Sequence, residues 1–167
     1  MGVASPILRG SKMALLERFS PEAALAWLEN TKATVAVAVP TQIVKMLQVA
    51  DIQRYDLSAL RIIVNGGAAI APGIAEEAER KFGCVTMSAY GSVEGATPAC
   101  TAQDDPPEKR IRSVGRVMPG MELCIVDNNR QAVPAGVAGE VVYRGPGLSL
   151  GFWRNPQAYR DLLDAEG

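Results

Sequence analysis

Two short segments of the chain carry residue types that could bind a nucleotide. One spans residues 65–69 (Asn-Gly-Gly-Ala-Ala), and the other spans residues 89–95 (Ala-Tyr-Gly-Ser-Val-Glu-Gly). Glycines in the first segment allow a sharp turn and let a ligand approach the main chain. In the second segment, Tyr90 could stack on a base, Ser92 could donate to phosphate, and Glu94 could hold Mg²⁺ against a polyphosphate.

Each segment also has a purely structural interpretation. The first could be a tight turn between a strand and a loop, and the second could be a polar loop with an exposed glutamate. Both follow short apolar runs, at residues 61–64 and 84–87, that are typical of buried strands. Ligands of parallel α/β sheets bind beyond the carboxyl ends of the strands. Two glycine-bearing loops at successive strands therefore favour a nucleotide cleft more than either loop alone.

The elements that must position these loops alternate along the first part of the chain. A further strand is predicted over residues 34–39, and helices are predicted over residues 21–30, 41–50 and 72–82. Ser20 suits the cap of the first helix, Pro72 opens the last, and Gly83 closes it. Strands that alternate with helices indicate right-handed βαβ units and a parallel sheet.

The pattern changes in the later part of the chain. Residues 103–112 are polar, include two prolines and a basic cluster, and are predicted to form a solvated surface loop. Short strands at residues 121–126 and 139–143 predict antiparallel sheet, and residues 155–163 predict a helix. We therefore expect an α/β fold, with a parallel-sheet βαβ subdomain over residues 1–103. A small, partial antiparallel β subdomain with a C-terminal helix should follow over residues 104–167.

Composition excludes several kinds of site. The 167 residues include no histidine, which excludes a Ser-His-Asp or Cys-His hydrolase and a histidine metal site within them. Cys84, Cys100 and Cys124 form no close pair, which disfavours disulfides and zinc, so we expect buried thiols. A net charge of −1 argues against nucleic acid as a partner. Without a secretory pattern or an apolar run of about 20 residues, we expect a cytoplasmic chain with no transmembrane segment.

Four motifs, in this order along the chain, carry a resemblance to a known family. Residues 7–41 resemble a strand-helix-strand lead-in that closes on Val-Pro-Thr, and residues 55–61 resemble a Y-D-L-S-x-L stretch. Residues 90–94 resemble Y-G-x-T-E, and residues 139–156 resemble a G-E-L-x-x-R-G-P…G-Y-x-x-N-P segment. Together they resemble the adenylate-forming superfamily, which includes acyl-CoA synthetases, firefly luciferase and peptide-synthetase adenylation domains.

The resemblance implies an AMP-forming acyl-CoA ligase as the parent enzyme. A small-molecule carboxylic acid, such as a fatty or aromatic acid, attacks the α-phosphate of ATP with Mg²⁺ as cofactor and CoA as co-substrate. The products of this step are an acyl-adenylate and pyrophosphate, and the CoA thiol then takes the acyl group. The family's phosphate loop, its T-G-D aspartate and its C-terminal lysine are expected outside these residues. The chain is therefore expected to be a central fragment of the large N-terminal domain, inactive by itself, with the rest of its parent chain as partner.

The resemblance also assigns roles to individual residues. The backbone of Gly66, Gly67, Ala68 and Ala69 would border adenine and the acyl pocket. The Ala89 carbonyl would accept from the adenine amine, and Tyr90 would lie against the base. Glu94 would be the catalytic, Mg²⁺-binding residue. The remaining nucleotide-binding residues are Gly91, Ser92 and Val93.

One position departs from the family, and three alternative functions stay open. The family usually has threonine where this chain has Val93, and the threonine hydroxyl contacts phosphate; Ser92 is a possible substitute. The parent could also be a peptide-synthetase adenylation domain or a luciferase-like enzyme, although Val-Pro-Thr at residues 39–41 favours acyl-CoA synthetases. A non-catalytic nucleotide-binding module is the alternative from another class.

Overall fold

The computed structural model describes residues 4–164, without the side chains of residues 4 and 5. The termini of the two predicted subdomains, at residues 1 and 167, lie outside the described residues. The chain divides into two compact units: the residues up to Tyr90 together with Cys100–Gly115, and Gly91–Ala99 together with the residues from Arg116 onward. Residues 91–99 thus group with the later unit and residues 104–115 with the earlier one. A separation of residues 1–103 from 104–167 stays a prediction.

The helices and strands follow one another in mixed order. The helices are α1 (Ala4–Leu8), α2 (Pro21–Thr31), α3 (Pro40–Leu47), α4 (Pro72–Phe82), α5 (Pro107–Arg112) and α6 (Pro156–Arg160), with a 3-10 turn at Ile52–Arg54. The strands are β1 (Val35–Ala38), β2 (Ile62–Gly66), β3 (Val85–Ser92), β4 (Ala96–Cys100), β5 (Arg116–Val117), β6 (Glu122–Val126) and β7 (Glu140–Arg144). Five strands form one sheet in the order β1-β2-β3-β4-β5, and β6 and β7 form a second sheet.

Helices α2 and α4 begin and end as the local sequence predicts, whereas α3, predicted over residues 41–50, ends at Leu47. The Ser20 hydroxyl accepts a hydrogen bond from the Ala23 amide at 3.1 Å, which satisfies one of the free N–H groups at the start of α2. Proline occupies the first position of α2, α3 and α4. Gly83 ends α4 in the left-handed region, at φ 67°.

The first three strands confirm the predicted βαβ arrangement. β1 pairs with β2 in parallel, and β2 pairs with β3 in parallel. Side chains at alternate positions of β2 are buried, since successive residues of a strand point to opposite faces. Ile63 of β2 is completely buried, as are Leu25 of α2, Ile43 of α3 and Ala75 of α4, and these residues belong to one hydrophobic core.

The second unit contains the predicted antiparallel pair. β6 and β7 pair from Glu122 opposite Arg144 to Val126 opposite Glu140. The turn after β6 is organised by Asp127, whose Oδ1 accepts hydrogen bonds from the amides of Asn129 at 2.8 Å and Gln131 at 2.9 Å. Such a side-chain cap is typical of aspartate in turns. Helix α6 is present and shorter than predicted.

One strand prediction and one loop prediction were wrong. Residues 7 and 8, expected in a strand of the lead-in motif, lie in α1, and their side chains are 66% and 86% exposed, with no sheet to cover them. Residues 89–95, expected as a loop, continue β3 as far as Ser92, turn at residues 93–95 and enter β4. A connection of three residues between neighbouring strands makes this a β-hairpin, because parallel neighbours need a much longer crossover.

The predicted surface loop at residues 103–112 was also wrong, because it contains α5. Arg110 is 7% exposed, and its guanidinium forms an ion pair with Glu79 of α4 at 3.0 Å. The same guanidinium donates to the Asp105 carbonyl at 2.7 Å. The Glu79 carboxylate also accepts from the Thr86 amide of β3 at 2.8 Å. A basic cluster in the sequence cannot reveal a carboxylate partner on another helix, so the burial was missed.

The prediction of buried cysteines holds for Cys84 but was wrong for Cys124. Cys84 is buried between α4 and β3, and burial raises the pKa of its thiol to about 12. Cys100 is partly buried, and Cys124 lies on the exposed face of β6. No helix within residues 4–164 is long and apolar enough to cross a membrane.

We expect Arg110→Met to destabilise the protein by about 3 kcal/mol, because the Glu79 carboxylate would lose the partner that compensates its partial burial. Arg112→Met is the matched control, since Arg112 lies in the same helix and forms only an exposed 4.0 Å contact with Glu76. Denaturant unfolding of both variants measures the difference. Equal unfolding midpoints would show that the Arg110 pair contributes nothing.

Candidate nucleotide-binding site

In the first unit, the two candidate segments start side by side. Gly66 ends β2 and lies opposite Ala89 of β3 in the parallel register. A Cβ atom built on Gly66 would be 3.8 Å from the Ala89 carbonyl oxygen. Gly67 follows at φ 80°, a conformation that favours glycine, and Gly67, Ala68 and Ala69 are exposed. The structure therefore brings this backbone, at the carboxyl end of β2, beside Ala89 of β3.

Asn65 holds the exposed loop in place, which the sequence analysis missed. Its side chain is 2% exposed, and Nδ2 donates to the Ala68 carbonyl at 3.1 Å. Its Oδ1 is buried and has no hydrogen-bond partner among the described residues. The one available signal was the position of a short amide side chain directly before Gly66. Such side chains often bind nearby backbone groups.

In the second unit, the turn at residues 93–95 is closed by hydrogen bonds. The Ser92 hydroxyl accepts from the Gly95 amide at 3.1 Å, and the Ser149 amide donates to the Glu94 carbonyl at 2.6 Å. A Cβ atom on Gly91 would overlap the carbonyl oxygen of Ala96, so only glycine fits there. Because the backbone is held at several points, the turn presents its side chains in a defined arrangement.

The side chains of Val93 and Glu94 differ in their exposure to solvent. Val93 is 95% exposed and packs against no apolar wall. Glu94 is partly buried and lines a cleft of about 1050 Å³ together with Ser92, Gly95 and Tyr143. Its own backbone amide lowers the pKa of the Glu94 carboxyl, and the Ser92 hydroxyl lowers this pKa further. Glu94 is therefore a carboxylate at neutral pH.

The donor set at Glu94 fits one kind of metal ion. No group of three or more histidine, cysteine or acidic side chains within residues 4–164 could hold a metal by itself. Mg²⁺ is commonly held by one or two carboxylates, while nucleotide phosphates and water complete its octahedral shell. A single ionised carboxylate in an open cleft fits Mg²⁺ that arrives with a nucleotide.

The predicted site residues thus fall into two groups. Gly66, Gly67, Ala68, Ala69, Ala89 and Tyr90 belong to the first unit, and Gly91, Ser92, Val93 and Glu94 belong to the second. Strand β3 is continuous through both groups, from Ala89 to Ser92. Their roles in binding a nucleotide stay predictions.

The sequence profile of a family described as "AMP-binding enzyme" matches residues 1–153. The chain belongs to this AMP-binding family. Among curated relatives of this family member, the medium-chain fatty-acid–CoA ligase of Escherichia coli (strain K12) is 35% identical over 166 residues. That alignment covers 99% of the chain and 29% of the relative. The chain thus spans about three tenths of the length of the curated relatives it matches.

Solved structures of similar proteins support the assignment of the fold. The amide bond synthetase McbA from Marinactinospora thermotolerans superposes with a TM-score of 0.84 at 34% identity, over 93% of this chain and 32% of McbA. A benzoate CoA ligase from Burkholderia xenovorans LB400 superposes with a TM-score of 0.85 at 28% identity, over 96% of this chain and 32% of the ligase. The mixed α/β architecture of this AMP-binding family member is therefore shared with these enzymes.

We expect Asn65→Asp to destabilise the protein by about 1–3 kcal/mol, because it replaces the donor to the Ala68 carbonyl with a buried acceptor. Burial raises the pKa of the new carboxyl, so the folded state binds more protons than the unfolded state. The destabilisation should therefore grow as the pH rises above about 4.

Melting temperatures at pH 5 and pH 8 measure this effect. Asn129→Asp is the control, because Asn129 lies exposed in the turn after β6. A loss for Asn65→Asp that does not change between the two pH values would contradict the burial of this side chain.

Proposed function

We propose that this chain is the nucleotide-binding part of an AMP-forming acid–thiol ligase, an acyl-CoA synthetase that uses ATP, Mg²⁺ and CoA. The observation that carries the proposal is the register of β2 and β3, which places Gly66 opposite Ala89. Both glycine-bearing segments therefore begin at one sheet edge, where α/β proteins bind nucleotides. Membership of the AMP-binding family supports the same function.

The residues of the first unit are proposed to hold adenosine and the acid. The backbone of residues 66–69 borders adenine and the acyl group, and the Ala89 carbonyl accepts from the adenine amine. Tyr90, which is partly buried, lies against the base. The carboxylate oxygen of the acid attacks the α-phosphorus, the bond to the β-phosphate oxygen breaks, and pyrophosphate leaves. The CoA thiol then attacks the acyl carbon, and AMP leaves.

Glu94 is proposed to hold the Mg²⁺ that accompanies ATP. When bound, the ion neutralises negative charge on the phosphate oxygens. The chain's own residues keep this carboxylate ionised, since the backbone amide of Glu94 and the Ser92 hydroxyl both lower the pKa of the carboxyl. Glu94 thus presents a full negative charge to the cation at neutral pH.

The acceptor and the acid are further parts of the proposal. The similarity to McbA favours an amine acceptor as the second candidate, so that the same acyl-adenylate would form an amide. The relatives named for medium-chain fatty acids and benzoate suggest that the parent enzyme activates a fatty or aromatic acid. A cytoplasmic location, expected from the sequence, is part of the same proposal. Full-length enzyme supplied with ATP, an acid panel and either CoA or amines would distinguish thioester from amide products.

We expect Glu94→Gln in the full-length enzyme to lower acid-dependent exchange of pyrophosphate into ATP by orders of magnitude. The change keeps the size of the side chain and removes the charge, and loss of a metal ligand at the reacting phosphates removes several kcal/mol of transition-state stabilisation. Glu108→Gln, at an exposed position of α5, is the matched control. Exchange at the wild-type rate in the Glu94 variant would rule out this role.

We expect Val93→Thr to speed formation of the acyl-adenylate without a loss of thermal stability. Val93 is 95% exposed, so a hydroxyl there is not buried without a partner. A hydrogen bond to a charged phosphate is worth about 1.5–3 kcal/mol. If it forms as charge develops, the gain appears in the single-turnover rate and not in ATP affinity.

Val137→Thr, in an exposed loop, controls for an added surface hydroxyl. A Val93→Thr enzyme with an unchanged or lower single-turnover rate would show that the turn works without a hydroxyl at this position.

A further inference from the structure

Tyr143 of β7 reaches the turn that carries Glu94. Its hydroxyl lies 3.1 Å from the hydroxyl of Ser92, although the two residues are 51 positions apart. Both side chains, together with Glu94 and Gly95, line the same cleft of the second unit. The tyrosine therefore contacts the site from a strand that the sequence analysis did not connect with it.

The Tyr143 ring also packs directly on the turn. A Cβ atom built on Gly95 would overlap the Cε2, Cζ and Oη atoms of Tyr143, so the outer edge of the ring lies against the Gly95 backbone. Gly95 itself is buried. Glycine at this position is what allows the phenol to come close enough to bind Ser92. The contact combines packing with a hydrogen bond.

The hydrogen-bonding capacity of Ser92 leaves room for Tyr143 as a donor. A serine hydroxyl donates once and accepts twice. The Gly95 amide takes one acceptor position at 3.1 Å. The phenol is the more acidic of the two hydroxyls, so Tyr143 is the better donor and takes the second position. Ser92 is then held by one donor from the turn and one from β7.

We propose that Tyr143 is a positioning residue for Glu94: by donating to Ser92 and packing on Gly95, it holds both ends of the turn at residues 93–95 and so fixes the direction of the Glu94 carboxylate in the cleft. This rests on the proposed function in one respect, namely that the carboxylate holds Mg²⁺ with ATP. Residues that orient a metal ligand in this way typically contribute 10–100-fold to metal affinity or activity.

A purely structural role for Tyr143 makes a different prediction. Tyr143 pairs with Leu123 in the β6–β7 ladder, so loss of the side chain could disturb the sheet and weaken ATP binding under all conditions. A positioning role affects only the part of ATP binding that depends on Mg²⁺. Titration calorimetry of ATP, with Mg²⁺ and with a chelator in its place, separates the two.

The test uses full-length enzyme with Tyr143→Phe, which keeps the ring and removes the hydroxyl. We expect the gain in ATP affinity from Mg²⁺ to fall by roughly tenfold, with affinity in the chelator and the melting temperature unchanged. Tyr55→Phe is the control, because the Tyr55 hydroxyl binds Arg54 and neither residue belongs to the candidate segments. An unchanged Mg²⁺-dependent gain in Tyr143→Phe overturns the proposal, as does an equal loss with and without Mg²⁺.

A double-mutant cycle tests the route through Ser92. If Tyr143 acts through the serine, Ser92→Ala and the double variant Ser92→Ala/Tyr143→Phe should lose the same Mg²⁺-dependent gain. Additive losses overturn the proposal. The binding measurement also separates this inference from the proposed function. Wild-type enzyme that binds ATP with Mg²⁺ but exchanges no pyrophosphate with any acid refutes the ligase function, while the cycle still decides the role of Tyr143.

Discussion

The parallel register between β2 and β3 is the constraint on which the candidate site depends. It places Gly66 opposite Ala89 and thereby sets the positions of the later residues of β3. A slip of one residue would turn the buried face of β2, including Ile63 and Asn65, toward the opposite side of the sheet. The hydrophobic core therefore holds the register, and the register brings the beginnings of the two glycine-bearing segments together.

A polar network of side chains supplies a hydrogen-bond partner for one backbone amide at the start of β3. The Thr86 amide donates to the Glu79 carboxylate of α4, and the charge of Glu79 is balanced by Arg110 of α5. Buried backbone amides need such partners, because an unpaired one costs about as much as a lost hydrogen bond. The α4–α5 pair thus supports the strand that carries the candidate nucleotide segment.

At the far end of β3, side-chain hydroxyl groups bind the turn that follows the strand. Ser92 was considered as a phosphate donor, but its oxygen accepts from the Gly95 amide and contacts the Tyr143 hydroxyl. These contacts bind the serine to the turn and to β7. Val93, where the family usually has threonine, is exposed and leaves the Ser92–Tyr143 pair as the hydroxyl contact of this turn.

The sequence by itself determined the elements whose signals are local. Capping at Ser20, proline at helix starts and Gly83 after α4 depend on neighbours within a few residues, and they predicted α2 and α4 correctly. Apolar runs predicted β1, β2, β6 and β7, and the ordered motifs predicted the family. Only the tertiary structure decided that Arg110 is buried and that Tyr143 meets Ser92. These contacts join residues 31 and 51 positions apart, and a hydrogen bond over such a separation depends on how the strands and helices pack.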